Sequence, residues 1–276
     1  MLKGVRWLSN TYGKLPIKPF KGVLSTLYSR YTISNKGEII VATVDGITYQ
    51  LDLNQLIDNA IYYQGCFEPM TTAIIDKYVK QGMTVLDIGA NIGCHTLRMA
   101  KLVGDNGRVI AFEPMSWALS KCKINIGLNN YKNITIESLA LSDANQRKPA
   151  SFRSSWALDG LPERNENEDV LFSTLDDYVK RTKLGRVNFV KLDVDGYEYK
   201  VLRGGLQTIR RYMPIMVIEL GKYTLNNVGD NLEDVLDLLE SIGYSFYSEK
   251  NLRQYHSKSV LMDAVPADAT INVVCK

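Results

Sequence analysis

From residue 84 onward, short apolar runs alternate with longer stretches in which apolar positions recur every three or four residues. The runs Thr84–Ile88, Arg108–Phe112, Ile134–Glu137, Phe189–Asp193 and Met216–Leu220 are strand-sized and nearly all apolar. Such runs suit strands buried on both faces. The helical period fills Ile92–Leu102, Trp117–Leu128, Tyr199–Arg211 and Leu232–Ile242, and a last strand pair, Tyr244–Tyr247 and Thr270–Val274, follows. This alternation predicts a mostly parallel sheet with helices on both faces. Upstream, Glu38–Val44 and Thr48–Leu53 flank Asp45-Gly46, a strong hairpin signal. Ile74, Ile75, Tyr78 and Val79 then predict a helix ending near Gly82. The chain thus divides into an extension over residues 1–80 and a main domain over 81–276. The stretch Ser151–Tyr178 interrupts the rhythm with an acidic run from Glu163 to Asp169, then Ser173-x-x-Asp176 as a helix cap. It reads as a lid or as a surface loop.

Composition narrows the class. With 45% hydrophobic and 23% charged residues in 276, disorder, collagen-like repeats and coiled coil are excluded as overall descriptions. No apolar run approaches the ~18 residues that cross a bilayer, and the first residues lack a signal peptide's apolar core. Cys66, Cys94, Cys122 and Cys275 are widely spaced with no CxxC pair, which fits reduced thiols in a cytoplasmic protein.

Charge is unevenly spread. Residues 1–37 hold seven of the 33 basic side chains and none of the 30 acidic ones. Leu2, Val5, Leu8 and Tyr12 recur there at near-helical spacing, followed by Pro16 and Pro19. One reading is a short amphipathic helix held peripherally at the inner membrane surface, on anionic lipid or a lipid-linked sugar phosphate. The other is a solvated leader. The remaining, mildly acidic body shows no basic–aromatic series for nucleic acid.

The most informative segment is Asp87-Ile88-Gly89-Ala90-Asn91-Ile92-Gly93, an apolar strand running through a glycine turn into a helix. Gly89 and Gly93 let the backbone approach a ligand, and the helix start supplies free N–H groups. Asn91 stands where a GxGxxG dinucleotide fingerprint has its middle glycine. Asp87 beside the turn would repel a pyrophosphate and attract an amino or sulfonium group. Both features favour S-adenosylmethionine over a nicotinamide dinucleotide. Glu113 ends the second strand, where an acid accepts hydrogen bonds from both ribose hydroxyls. After the third strand, Leu141-Ser142-Asp143 offers an apolar contact for adenine and an acceptor for its amine.

These segments, with Ala111-Phe112-Glu113-Pro114, Ala140-Leu141-Ser142-Asp143, Thr174-Leu175-Asp176-Asp177-Tyr178, Lys191-Leu192-Asp193-Val194-Asp195-Gly196-Tyr197-Glu198 and Val201-Leu202-Arg203-Gly204-Gly205, form an ordered series that resembles the FkbM-type methyltransferase family. The resemblance spans roughly residues 60–220. It implies a class I methyltransferase (Rossmann-like) fold with a mostly parallel seven-stranded sheet, S-adenosylmethionine as donor, and usually a hydroxyl acceptor on a sugar or glycosylated natural product. Asp195 stands where the family commonly has Glu. A non-catalytic, cofactor-binding scaffold in a glycan assembly complex is the alternative.

Transfer to a hydroxyl requires alignment and removal of its proton. Lys191, Asp193 and Asp195 share one face of the fourth strand at its carboxyl end. Asp193 is the candidate base, with Lys191 orienting it or stabilising an alkoxide; a simple ion pair is the plain alternative. His95, just past the glycine turn, is a second candidate base or a buried packing histidine. Asp193, Asp195 and Glu219 could together hold Mg²⁺. Glu198 reads as a helix-start acid. Tyr62, Tyr63 and Phe67 could stack on a sugar ring or pack in the core.

Overall fold

A computed structural model describes residues 39–150, 152 and 167–276. Strands β1 (Ile39–Val44) and β2 (Ile47–Asp52) form the expected hairpin, with Asp45 and Gly46 both in the left-handed region at its tip. Two helices follow, α1 (Leu56–Gln64) and α2 (Pro69–Tyr78). The main layer then runs β3 (Thr84–Ile88), α3 (Cys94–Val103), β4 (Arg108–Phe112), α4 (Ser116–Gly127) and β5 (Ile134–Glu137). A small sheet comes next, from β6 (Ala140–Leu141), β7 (Gln146–Ala150) and β8 (Glu168–Ser173). Helix α5 (Leu175–Thr182), β9 (Phe189–Leu192), α6 (Glu198–Gly204), α7 (Leu206–Tyr212) and β10 (Ile215–Gly221) continue the layer. It closes with α8 (Lys222–Asn227), α9 (Leu232–Ile242), β11 (Phe246–Ser248), α10 (Lys258–Ala264) and β12 (Thr270–Cys275).

The large sheet has the order β11-β12-β10-β9-β3-β4-β5. From β5 to β10 every pairing is parallel; β12 runs antiparallel to both β10 and β11. Counting only this sheet's strands in chain order, the sequence across it is 3-2-1-4-5-7-6. The order reverses between β3 and β9, so their carboxyl ends flank a crevice, the place where open α/β sheets bind ligands.

Three expectations shift by a turn or less. The first main helix starts at Cys94 rather than Ile92, because Gly93 (φ 85°) still belongs to the turn. The cap before α5 is Thr174, whose hydroxyl accepts from the Asp177 N–H, rather than Ser173. Tyr199–Arg211 is two helices, broken at Gly205, where a Cβ would lie 2.8 Å from Leu175. Within the stretch read as a lid, residues 168–173 instead complete the small sheet as β8. Ser151 and 153–166 of that stretch lie outside the described residues, as does the basic arm.

The hairpin and α1 are docked against the main layer. Val44, Ile47, Tyr49, Leu51, Ile57, Ile61 and Tyr63 share one buried cluster with Ile92 and Leu97 of the glycine turn and α3. Asn125 of α4 accepts from the Gln50 N–H and donates to the Ile92 carbonyl. Asp58 of α1 pairs with Lys121 of α4 in a buried ion pair. Tyr62 and Tyr63 belong to this core and are not available to a sugar ring.

Candidate active site

One cavity, about 770 Å³ of space open to solvent, occupies the crevice at the carboxyl ends of β3, β4 and β9. The turn after β3 forms its floor. Gly89 (φ 86°) and Asn91 (φ 48°) both take the left-handed conformation, which glycine and asparagine tolerate best. The Gly89 and Ala90 N–H groups donate to the Phe112 carbonyl, stitching the turn to β4. A Cβ on Gly89 would lie 1.8 Å from the Asp193 carbonyl oxygen, so no larger residue fits without moving β9.

Glu113 stands at the end of β4, lines the cavity and is 6% exposed. Its carboxylate accepts from the Asn91 N–H at 2.8 Å and the Met115 N–H at 3.0 Å. Burial outweighs those bonds and pushes the carboxyl up to about 7. Each oxygen keeps an acceptor site for a ribose hydroxyl. Leu139, Ala140, Leu141, Pro114 and Phe112 continue the wall as an apolar slot beside it.

Opposite Glu113 lie the expected catalytic residues. Lys191 donates to Asp193 Oδ2 at 2.8 Å and to the Gly89 carbonyl at 3.2 Å, and both side chains line the cavity. Burial alone would lower the lysine, but Asp193, Asp87 and Glu68 outweigh it and hold the ammonium above its usual range. Lys191 is therefore a fixed cation, not a base. His95 also lines the cavity. Its Nε2 donates to Glu68 Oε2 at 3.2 Å, and no described bond engages Nδ1.

Several expected cofactor contacts lie behind the cavity surface. Asp87 is fully buried beneath the turn, where one oxygen accepts from the Thr96 hydroxyl and the other, Oδ1, has no hydrogen-bond partner among the described residues. Burial raises its carboxyl, with Lys191 and His95 opposing. Asp87 thus faces the cavity only through the turn and Lys191. Ile92 points into the hairpin cluster, and Gly93 lets α3 approach α4, since a Cβ there would meet Cys122 Sγ at 2.7 Å. Ser142 is buried behind Leu141, with a Cβ on Gly204 falling 2.0 Å from its carbonyl. Asp143 is drawn off the cavity by Arg203, 3.5 Å away.

The metal reading is corrected. Among the described residues no group of three or more His, Cys, Asp or Glu side chains is disposed to hold a metal. Asp193 is committed to Lys191, and Asp195 sits in a left-handed turn (φ 51°). Glu219 accepts from the Thr270 hydroxyl at 2.7 Å, and burial, then Asp193, push it up to about 9, which leaves it a neutral acid. Glu198 lies inside the protein and accepts the Val194 and Gly196 N–H groups, so it shapes the loop after β9 rather than the start of α6 alone.

Glu68 is the residue that sequence reasoning passed over. It occurs in Phe67-Glu68-Pro69, read only as the approach to a helix. It caps α2 in a left-handed conformation (φ 45°, ψ 73°), which is strained for glutamate. An acid just before a helix-starting proline, in a chain with only two histidines, was the available signal.

A sheet in this order, closing on a glycine turn and an acid-tipped second strand, defines a class I methyltransferase, and the donor of that class is S-adenosylmethionine. The turn, Glu113 and the apolar slot fit that donor: a close-approach floor, a ribose acceptor and a face for adenine. The chain belongs to the FkbM methyltransferase family, whose sequence model, a methyltransferase FkbM domain, matches residues 87–246. It is 26% identical to the 2-O-methyltransferase NoeI of Sinorhizobium fredii over 189 residues, 61% of this chain and 75% of that protein. A protein-L-isoaspartate O-methyltransferase of Methanococcoides burtonii is 32% identical over 77 residues, 27% of this chain and 38% of its own length. Among solved structures, methyltransferase FkbM from Methylobacillus flagellatus aligns with a TM-score of 0.44 at 15% identity, over 80% of this chain and 52% of that one. Among the described residues, no helix is long and apolar enough to cross a membrane.

Proposed function

We propose that this methyltransferase moves the methyl group to a hydroxyl oxygen of a sugar, polysaccharide or glycosylated natural product. The observation that carries the reading is the meeting of a fixed cation, its partner carboxylate and a histidine at the end of the cavity opposite Glu113. A sugar hydroxyl is barely acidic. It needs a proton acceptor and a cation to steady the oxygen as charge develops, and each is worth orders of magnitude in rate. When bound, S-adenosylmethionine supplies an electrophilic methyl on a cationic sulfur. Lys191 and Asp193 orient the incoming hydroxyl, and Lys191 stabilises negative charge on its oxygen. Phe67, Phe152 and Tyr197 add aromatic faces to the lining, suited to the C–H faces of a sugar ring. The similarity to a 2-O-methyltransferase supports oxygen as the acceptor atom.

Mass spectrometry of capsule, lipopolysaccharide and small glycosides from cells with and without the gene tests this. A glycan one methyl heavier when the gene is present is expected. Methyl-identical glycans in both strains, with S-adenosylhomocysteine still bound by the purified protein, would refute the sugar-hydroxyl reading.

A further inference from the structure

The geometry points to His95 as the group that takes the acceptor's proton, with Glu68 as the residue that positions it for that task. This rests on the hydroxyl-acceptor reading above. Three observations lead there. First, Asp193 is engaged by the Lys191 ammonium at 2.8 Å, whereas His95 keeps one ring nitrogen without a described partner on a residue that lines the same cavity. Second, Glu68 does not line the cavity; it lies behind His95, with Oε2 3.2 Å from Nε2. Third, Glu68 is itself held firmly. Burial would raise its carboxyl, but His95 and Lys191 prevail and keep it below its ordinary range, hence ionised. Thr71 stands beside it in the first turn of α2, its hydroxyl donating to Glu249 Oε2 at 3.3 Å and accepting from Asn272 of β12 at 3.0 Å.

A carboxylate bonded to one imidazole nitrogen does two things. It fixes the tautomer with hydrogen on Nε2, leaving the Nδ1 lone pair as the base, and it stabilises the imidazolium once the proton arrives. The step then balances. The hydroxyl proton passes to Nδ1 as the oxygen bonds to the methyl carbon. The carbon–sulfur bond breaks with its electron pair remaining on sulfur, and Glu68 neutralises the new positive ring. Glu68 immediately precedes α2, ahead of the residues that carry the family match, so this part of the catalytic arrangement is supplied by the extension.

The test uses the full chain saturated with S-adenosylhomocysteine, ¹⁵N-labelled at histidine, in a His256→Gln background that leaves a single imidazole. Long-range ¹H–¹⁵N correlation at alkaline pH should show one tautomer, protonated at Nε2, and Glu68→Ala should mix the two. Glu68→Gln keeps an acceptor oxygen but loses the charge. It should hold the tautomer and the S-adenosylhomocysteine affinity yet slow labelled-methyl transfer at least tenfold, with the glycan fraction of gene-deleted cells as acceptor. His95→Asn should lose at least a hundredfold. A wild-type ring protonated at Nδ1, a tautomer indifferent to Glu68→Ala, or full transfer by Glu68→Gln would overturn the assignment. Absence of any methyl transfer by the wild type would refute the acceptor reading instead, and leaves the imidazole spectra to decide the Glu68–His95 pairing separately.

Discussion

Glu113 makes the donor site sensitive to pH in a way that can be worked out beforehand. Its carboxyl has an ordinary value of 4.5 and is pushed up to about 7 by burial, so near pH 6 the folded protein holds a proton there that the unfolded chain has lost. Stability from this group is therefore greatest below pH 4.5 and falls as pH rises towards 7. The loss is about 3 kcal/mol for a shift of roughly two and a half units at 1.36 kcal/mol each. Binding runs the opposite way. Ribose hydroxyls donate to the ionised carboxylate, so the ligand selects the form that is about a tenth populated at pH 6 and about nine-tenths populated at pH 8. Calorimetry should show S-adenosylhomocysteine affinity rising about tenfold between those values, with proton release near pH 6 visible as a buffer-dependent enthalpy. Glu113→Gln is the control. It leaves the ligand's own titration in place but should abolish this increment and weaken binding at pH 8 by roughly 1.5–3 kcal/mol, the worth of hydrogen bonds to a charged group. Identical pH profiles in the wild type and Glu113→Gln would refute the reasoning.

Two further outcomes are expected. Gly89→Ala places a methyl 1.8 Å from the Asp193 carbonyl at a φ of 86°, so it should lower Tm by about 5 °C or more and reduce S-adenosylhomocysteine affinity at least tenfold; unchanged calorimetry would show that β9 yields without cost. The basic arm should give salt-sensitive sedimentation with anionic vesicles at ~1 kcal/mol per basic residue near the surface, a property lost on deleting residues 1–37, and equal pelleting of the two proteins would return the arm to a solvated leader.

The strands of the main layer were legible because each is a short apolar run between breakers. β3, β4 and β5 begin and end at the expected residues; β3 is buried along its whole length and β4 everywhere but Arg108, whereas the edge strand β5 is only partly buried and is marked by its β-branched Ile134-Thr135-Ile136 instead. Glu113 was legible for a related reason: an acid ending such a run has few places to go other than the crevice. Helix α1 was missed because Leu56–Gln64 is short and lacks a clear cap: Gln55 offers no side-chain bond to its first turn. The small sheet was missed because β7, Gln146–Ala150, is almost wholly exposed and reads as a polar loop. Asp87 and Asp143 were recognised as site acids, but burial beneath the turn and pairing with Arg203 are long-range facts that local pattern does not encode. The Glu68–His95 contact joins residues 27 positions apart across two helices, and only the docking of the extension brings them together.

The placement of β12 affects how this sheet can be made. Residues 270–275 insert between β10 and β11, so the hydrogen-bonding partners of β11 appear in the chain after β11 itself. During synthesis the emerging chain can assemble β3, β4, β5, β9 and β10 in turn, but β11, bonded meanwhile only to the adjacent residues 253–255, cannot join the sheet until the later segment is made. Until then the outer side of β10 is an unsatisfied apolar edge. Closure of the sheet is thus a late, non-local event. The same strand supplies Asn272, which anchors Thr71 beside Glu68. That bond reaches back 201 residues in the chain, so the surroundings of Glu68 are complete only once β12 is in place.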